Sequence, residues 1–250
     1  MFWHDIVLER RGLAFSLAAV LMTVAGSFGA VQLVARAAGE AAAEEAAEAA
    51  AEGDTTPVLE IAEQSPPFVY LDLRPFFNND AISWDHDPLD GDINFAWTTL
   101  PAESLPDSLT VVNIRSASFL FPPKEDGVNN ALILAGQSFG VPVDQYGELQ
   151  LLVTAVSGLH TDEVTFRFND GSQWTGKFNV RDFGPAGGTG QFGNLTVPHR
   201  HGPQGDQTPA AKIWVAVIRL PQEFSAKELV GITLPANDRL RLFALTLRQK

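Results

Sequence analysis

Residues 12–34, GLAFSLAAVLMTVAGSFGAVQLV, are twenty-three consecutive positions without a charge. As a helix rising 1.5 Å per residue, such a run reaches roughly 34 Å, enough to cross a bilayer core with some tilt. Arg10 and Arg11 precede it, and only Arg36 follows before a long acidic stretch. The bias of basic residues puts the N-terminus on the cytoplasmic side and the bulk of the chain outside. Phe2 and Trp3 suit an interfacial aromatic anchor. Ala35-Arg36-Ala37 fits a signal-peptidase pattern. The apolar run is much longer than the h-region of about 7–15 residues that such signals carry, so a retained anchor is expected.

Within this run, Ala25 with Gly29 and Gly26 with Ala30 are small residues four apart. That spacing lets a second transmembrane helix approach closely and predicts a helix-packing face toward a membrane partner. The segment AAGEAAAEEAAEAAAEGD follows. Alanine and glutamate favour helix and no proline interrupts them, so a helical stalk is expected, ending near Gly53-Asp54. TTPVLEIAEQSPP then reads as a link. The expected organisation is a cytoplasmic N-terminus (1–11), a transmembrane helix (12–34), an Ala/Glu-rich stalk and linker (35–65) and one domain (66–250).

The domain has a different texture. Short runs rich in Val, Ile, Phe and Leu alternate with Gly, Pro, Asn and Asp: FVYLDL (68–73), LTVVNI (109–114), ASFLF (117–121), NALILAG (130–136), ELQLLVTAV (148–156), EVTFRFN (163–169), QWTGKFNV (173–180), KIWVAVIRL (212–220), LVGITL (229–234) and LRLFALTL (240–247). VTFRF and WVAVI show the period of two that buries one sheet face. Asn169-Asp170-Gly171 is a strong hairpin signal. Many short strands separated by turns read as a sandwich or barrel.

The segments FNNDAIS (77–83), GDINFAWTTLPAESLP (91–106), FLFPPKEDGVNNALILAGQSFGVP (119–142), FNDGS (168–172) and LVGITLPANDRLRLFALTL (229–247) together resemble a known family. It comprises the galactose-binding-like, jelly-roll accessory modules of secreted bacterial glycoside hydrolases and related surface proteins. The resemblance covers roughly residues 66–248. It implies a mainly β fold, a single jelly-roll-like antiparallel sandwich, and sugar binding.

The net charge of −13 and the lack of clustered Lys and Arg argue against nucleic acid as a partner. There is no cysteine, so neither disulfides nor thiolate chemistry enters. The most polar stretch is Ser83–Trp97, SWDHDPLDGDINFAW. Its Asp85, Asp87, Asp90 and Asp92 are hard oxygen donors suited to calcium, although the EF-hand register fails when Gly91 is placed at its sixth position. A glycosidase acid pair is not expected on a single turn, because the two carboxyls must sit about 5–9 Å apart across a sugar. Asp87-Pro88 and Asp90-Gly91 are turn dipeptides, so the expectation is an exposed turn. Trp84 and Trp97 flank it and suit contact with a partner or a glycan.

Three further motifs fall short on context. GQSFG (136–140) matches a nucleophile elbow but lacks the helix that must follow, so Ser138 is expected at a strand end. GTGQFG (188–193) lacks a flanking strand and helix and reads as a glycine-rich loop. His199 and His201 in PHRH would face one side of a strand as half of a zinc or copper site, with His86 or His160 to complete it. The solvent-loop reading is preferred.

The function expected from sequence is a non-catalytic, single-pass accessory or scaffolding subunit in the inner (cytoplasmic) membrane. Its extracytoplasmic, periplasmic sandwich would pack on a larger membrane protein complex, with bioenergetic and photosynthetic complexes as host types. The alternative is a membrane-tethered carbohydrate-binding module.

Overall fold

The computed structural model describes residues 56–184 and 192–250. The expected transmembrane helix, with Ala25, Gly26, Gly29 and Ala30, lies outside the described residues, as do the Ala/Glu stretch and most of GTGQFG. Among the described residues, no helix is long and apolar enough to cross a membrane.

The described chain is mainly β and its long strands are antiparallel. In chain order they are β1 (Ile61–Ser65), β2 (Phe68–Leu71), β3 (Ile82–Ser83), β4 (Leu100–Pro101), β5 (Val111–Ile114), β6 (Ala117–Leu120), β7 (Leu132–Ile133), β8 (Ser138–Ala155), β9 (His160–Phe168), β10 (Gln173–Val180), β11 (Asn194–Val197), β12 (Ala211–Arg219), β13 (Glu228–Thr233) and β14 (Leu240–Gln249). One helical turn, Gln222–Ser225, joins β12 to β13.

β8 organises the sandwich. Its 18 residues run through both sheets. The first half, from Ser138 to Gln145, pairs with β13, which continues to β9 and β10. The second half, from Tyr146 onward, lies between β14 and β12, with β2 and β1 beyond β14 and β11 beyond β12. Leu149, Leu151 and Val153 on β8, Trp214, Ala216 and Ile218 on β12, and Leu240, Leu245 and Leu247 on β14 face the core between the sheets. Phe166, Phe178 and Ile232 meet them from the other sheet.

The β8–β12–β14 sheet is covered on its outer face as well. A second cluster joins Leu152, Val215 and Phe243 of that sheet to Ile82, Ile93, Leu100, Phe119 and Phe121. The covering layer comes from the long excursion between β2 and β7. This explains why LRLFALTL and LLVTAV are mostly apolar without alternation: both faces are buried. A bulge between Leu242 and Ala244 shifts the phase, so that Leu245 and Leu247 return to the inner face.

The expected linker needs correcting. Leu59 is fully buried in the main core. Its N–H bonds to Gly140 O and Gly140 N–H bonds to Pro57 O, both at 2.9 Å. β1 then pairs with β2 at the sheet edge. Residues 57–65 are therefore part of the sandwich and not a tether to it. The polar sequence IAEQS hides this strand because an edge strand needs little apolar surface.

Candidate functional site

The excursion over the second core carries the polar stretch that stood out in the sequence, and its two ends do different things. Ser83 closes β3, beside β4. The chain then turns tightly, with Asp87 N–H bonded to Trp84 O at 2.9 Å. Trp84 is half-buried rather than displayed. Its Nε1 donates to Lys124 O at 2.8 Å, and the Lys124 ammonium lies 5.3 Å from its ring centre. Lys124 also donates to Ala102 O and Leu105 O, at 3.0 and 3.2 Å, so a buried cation ties three parts of the excursion together. Trp84 is thus a packing residue and not a free contact for a partner.

The four aspartates do not converge. Asp90 accepts from Gly127 N–H at 2.6 Å. Asp92 Oδ1 accepts from Asn94 N–H and Ala96 N–H at 3.0 and 3.1 Å, an arrangement that closes a turn. Asp85 points elsewhere, toward His201, more than a hundred residues on. Among the described residues, the group of three or more metal-type side chains brought together is Asp85, His199 and His201, whose ligand atoms all lie within 4.8 Å of one another. The sequence favours a solvent loop for His199 and His201, but His201 is buried and the two rings lie together with centres 5.3 Å apart, as in the alternative metal reading. The third member does not follow it. His86 stands near Asp126 and His160 near Asn237. The carboxylate of Asp85 takes the position expected of a histidine.

His201 is held from all sides. Its backbone N–H and C=O pair with Thr99 at 3.1 and 3.2 Å. Its Nδ1 lies 2.8 Å from Ser83 Oγ and its Nε2 lies 3.1 Å from Asp85 Oδ1. Ser83, His201 and Asp85 thus resemble a serine–histidine–acid series, but it is turned inside out. Ser83 is 1% exposed and its hydroxyl is engaged with Thr99 and Pro88 O, whereas the Asp85 side chain is 66% exposed. A nucleophile must face the substrate, and Ser83 faces the core. Ser138, the other serine of interest, lies in β8 and bonds to the Thr233 hydroxyl at 2.8 Å, as a strand residue does.

The far end of the same stretch is a rigid display. Ile93 is fully buried and anchors the loop. Ile93 N–H bonds to Thr98 O at 2.7 Å, and Asp92 N–H to Asp80 O at 2.8 Å. Phe95 and Trp97 then project outward, 59% and 62% exposed, from backbone with φ of 64° and 55°. Left-handed backbone is costly for aromatic residues and persists only where the surroundings impose it. Beneath Phe95, the guanidinium of the buried Arg241 sits 4.9 Å from the ring centre. Burial pulls the Arg241 pKa down, partly offset by Asp238 and Asp92.

This β-sandwich, with its covered sheet and displayed loop, has a matching family model over residues 67–250. The chain belongs to the AziU2-like β-sandwich domain family. The AziU2-like model begins at the β1–β2 turn and runs to the last residue. It supports the sandwich, while the galactose-binding-like assignment is finer than it reaches. No curated protein gives a significant match.

A titrating carboxyl lies under the loop of this AziU2-like sandwich. Burial raises the Asp80 pKa to about 6, against hydrogen bonds from Asn130 and Ile82 that lower it, and the charges of Asp90 and Asp126 raise it further. The folded state therefore holds the Asp80 proton more tightly than the unfolded chain, whose value is near 3.8. Its ionisation destabilises the fold above about pH 6, and that cost is relieved as pH falls through 6 toward 3.8. Asp80→Asn keeps an acceptor for Asn130. It is expected to raise the melting temperature at pH 7.5 and to shrink the gain seen on moving to pH 5. Melts of both proteins at the two pH values check this.

Proposed function

We propose that this AziU2-like chain is a membrane-tethered, non-catalytic accessory subunit whose extracytoplasmic sandwich packs on a larger membrane protein complex. The observation that carries this reading is the loop presenting Phe95 and Trp97. Two large aromatic side chains, held rigid and mostly in water, are what a docking surface offers. A rigid loop loses little freedom on binding, so more of the contact energy appears as affinity. The uncharged run 12–34, with Ala25, Gly26, Gly29 and Ala30, supports a second contact inside the bilayer.

On this reading the N-terminus is cytoplasmic and the sandwich sits on the outer side of the inner membrane. The expected result of gentle detergent extraction is co-purification with other membrane chains. Gly26→Leu with Gly29→Leu should collapse that association while the sandwich stays folded. Unchanged association would remove the helix contact from the reading.

A second reading is a tethered, jelly-roll-like carbohydrate-binding module. A groove of about 390 Å3 between β10 and β12, lined by Lys177, Asn179, Arg181 and Phe192, favours it, as does the exposed face of Trp97. Its size falls within the range of small-molecule sites. Saturable glycan binding by a protein that extracts alone would support this reading over the first.

A further inference from the structure

His201 sits between two partners, with Nδ1 2.8 Å from Ser83 Oγ and Nε2 3.1 Å from Asp85 Oδ1. Ser83 and Thr99 also contact each other and Pro88 O. When these two hydroxyls spend their hydrogens on each other and on Pro88 O, Nδ1–H of His201 donates to Ser83 and the Nε2 lone pair faces the Asp85 carboxylate. A cation held between Nε2 and Asp85 selects that tautomer.

His199 adds a second, independent observation. Its Nε2 is buried and has no hydrogen-bond partner, with the Asp206 carboxylate 3.7 Å off. Two imidazoles and one carboxylate therefore share one small volume. We infer that Asp85, His199 and His201 form a binding site for a divalent first-row transition ion of the zinc class. The donor set is two nitrogens and one oxygen, which suits such ions better than calcium. Tetrahedral ligands about 2.0–2.1 Å from zinc stand about 3.4 Å apart, close to the present His201–Asp85 separation. Ser83 Oγ stands 2.8 Å from Nδ1, where it can receive the far N–H of a metal-bound His201, as the partners of such histidines do. The exposed side of Asp85 leaves a coordination position open to solvent.

Such an ion would also cross-link the start of the aromatic loop to the His199–His201 segment, 114 residues later in the chain. This site stands apart from the docking reading, because its ligands and the displayed aromatics lie at opposite ends of the loop.

The test uses the full chain in detergent, stripped with chelator and titrated with Zn2+ alone, with Co2+ as the spectroscopic probe. The expected result is one ion per chain, with cobalt bands characteristic of low coordination. Asp85→Asn and His199→Gln, both at partly exposed side chains, should each weaken binding by about a hundredfold or more while the apo protein keeps its melting temperature. Ser83→Ala should weaken it by roughly 10–100-fold, through the orientation of His201. Zn2+ that binds without saturation, or equally well to the Asp85 and His199 variants, overturns the inference. Neither outcome bears on whether the aromatic loop docks.

Discussion

The double variant Phe95→Asn, Trp97→Asn is expected to fold normally and to lose its partner. Both side chains are mostly in water, so their removal takes little from either core. Asparagine tolerates left-handed backbone better than most residues, so the φ values of 64° and 55° remain accessible to the variant. The cation–π contact with Arg241 is lost, at a cost of about 1 kcal/mol. In the proposed complex each aromatic anchor contributes about 2 kcal/mol or more, so the pair should weaken association by about a thousandfold. Quantitative pull-down from detergent extracts, paired with a melting curve of each protein, separates lost docking from lost fold.

Gly91→Ala should destabilise the fold strongly, although it only adds a methyl group. Gly91 has φ +131°, a conformation that side chains avoid. A Cβ there would also stand 2.8 Å from the backbone carbonyl oxygen of Asp80 and 3.2 Å from Thr99 Cγ2. The Asp80 carbonyl cannot swing away cheaply, because it accepts the hydrogen bond from Asp92 N–H that seats the loop. Backbone strain and the forced shift together should cost about 3 kcal/mol. For a domain of this size that lowers the melting temperature by about 6–12 °C. A loss smaller than about 1 kcal/mol would mean that the loop adjusts freely, and the rigid display of Phe95 and Trp97 would lose its basis.

The long strands were legible wherever one face or both faces carried a continuous signal. β9 and β10 alternate, and Asn169-Asp170-Gly171 turns between them as the sequence indicates. β12 and β14 were legible as apolar runs. β8 was legible only from residue 148, because the stretch before it carries Pro142, Asp144 and Gly147 and crosses from one sheet to the other. β1 was missed because it is an exposed edge. β3 and β4 are two residues each, too short for any period to appear.

The site was legible in halves. The spacing of His199 and His201 put both rings on one side, and the acidic stretch advertised oxygen donors. Nothing local could join Asp85 to His201, since the contact depends on how the excursion folds across the second core. The same holds for the two tryptophans, which look alike in sequence. Trp84 is tied down by Lys124, a residue forty positions later, and Trp97 is not buried. The calcium alternative to an exposed turn gains no support for a related reason: Asp90 and Asp92 each accept from backbone N–H groups of their own surroundings, while Asp85 faces His201.

The most direct test of the accessory-subunit reading is the native mass of the gently extracted full chain. The account predicts an assembly well above the 27.0 kDa of one chain, containing other membrane proteins, that dissociates when Phe95 and Trp97 are replaced. A species that contains this chain alone, with or without bound glycan, would contradict it.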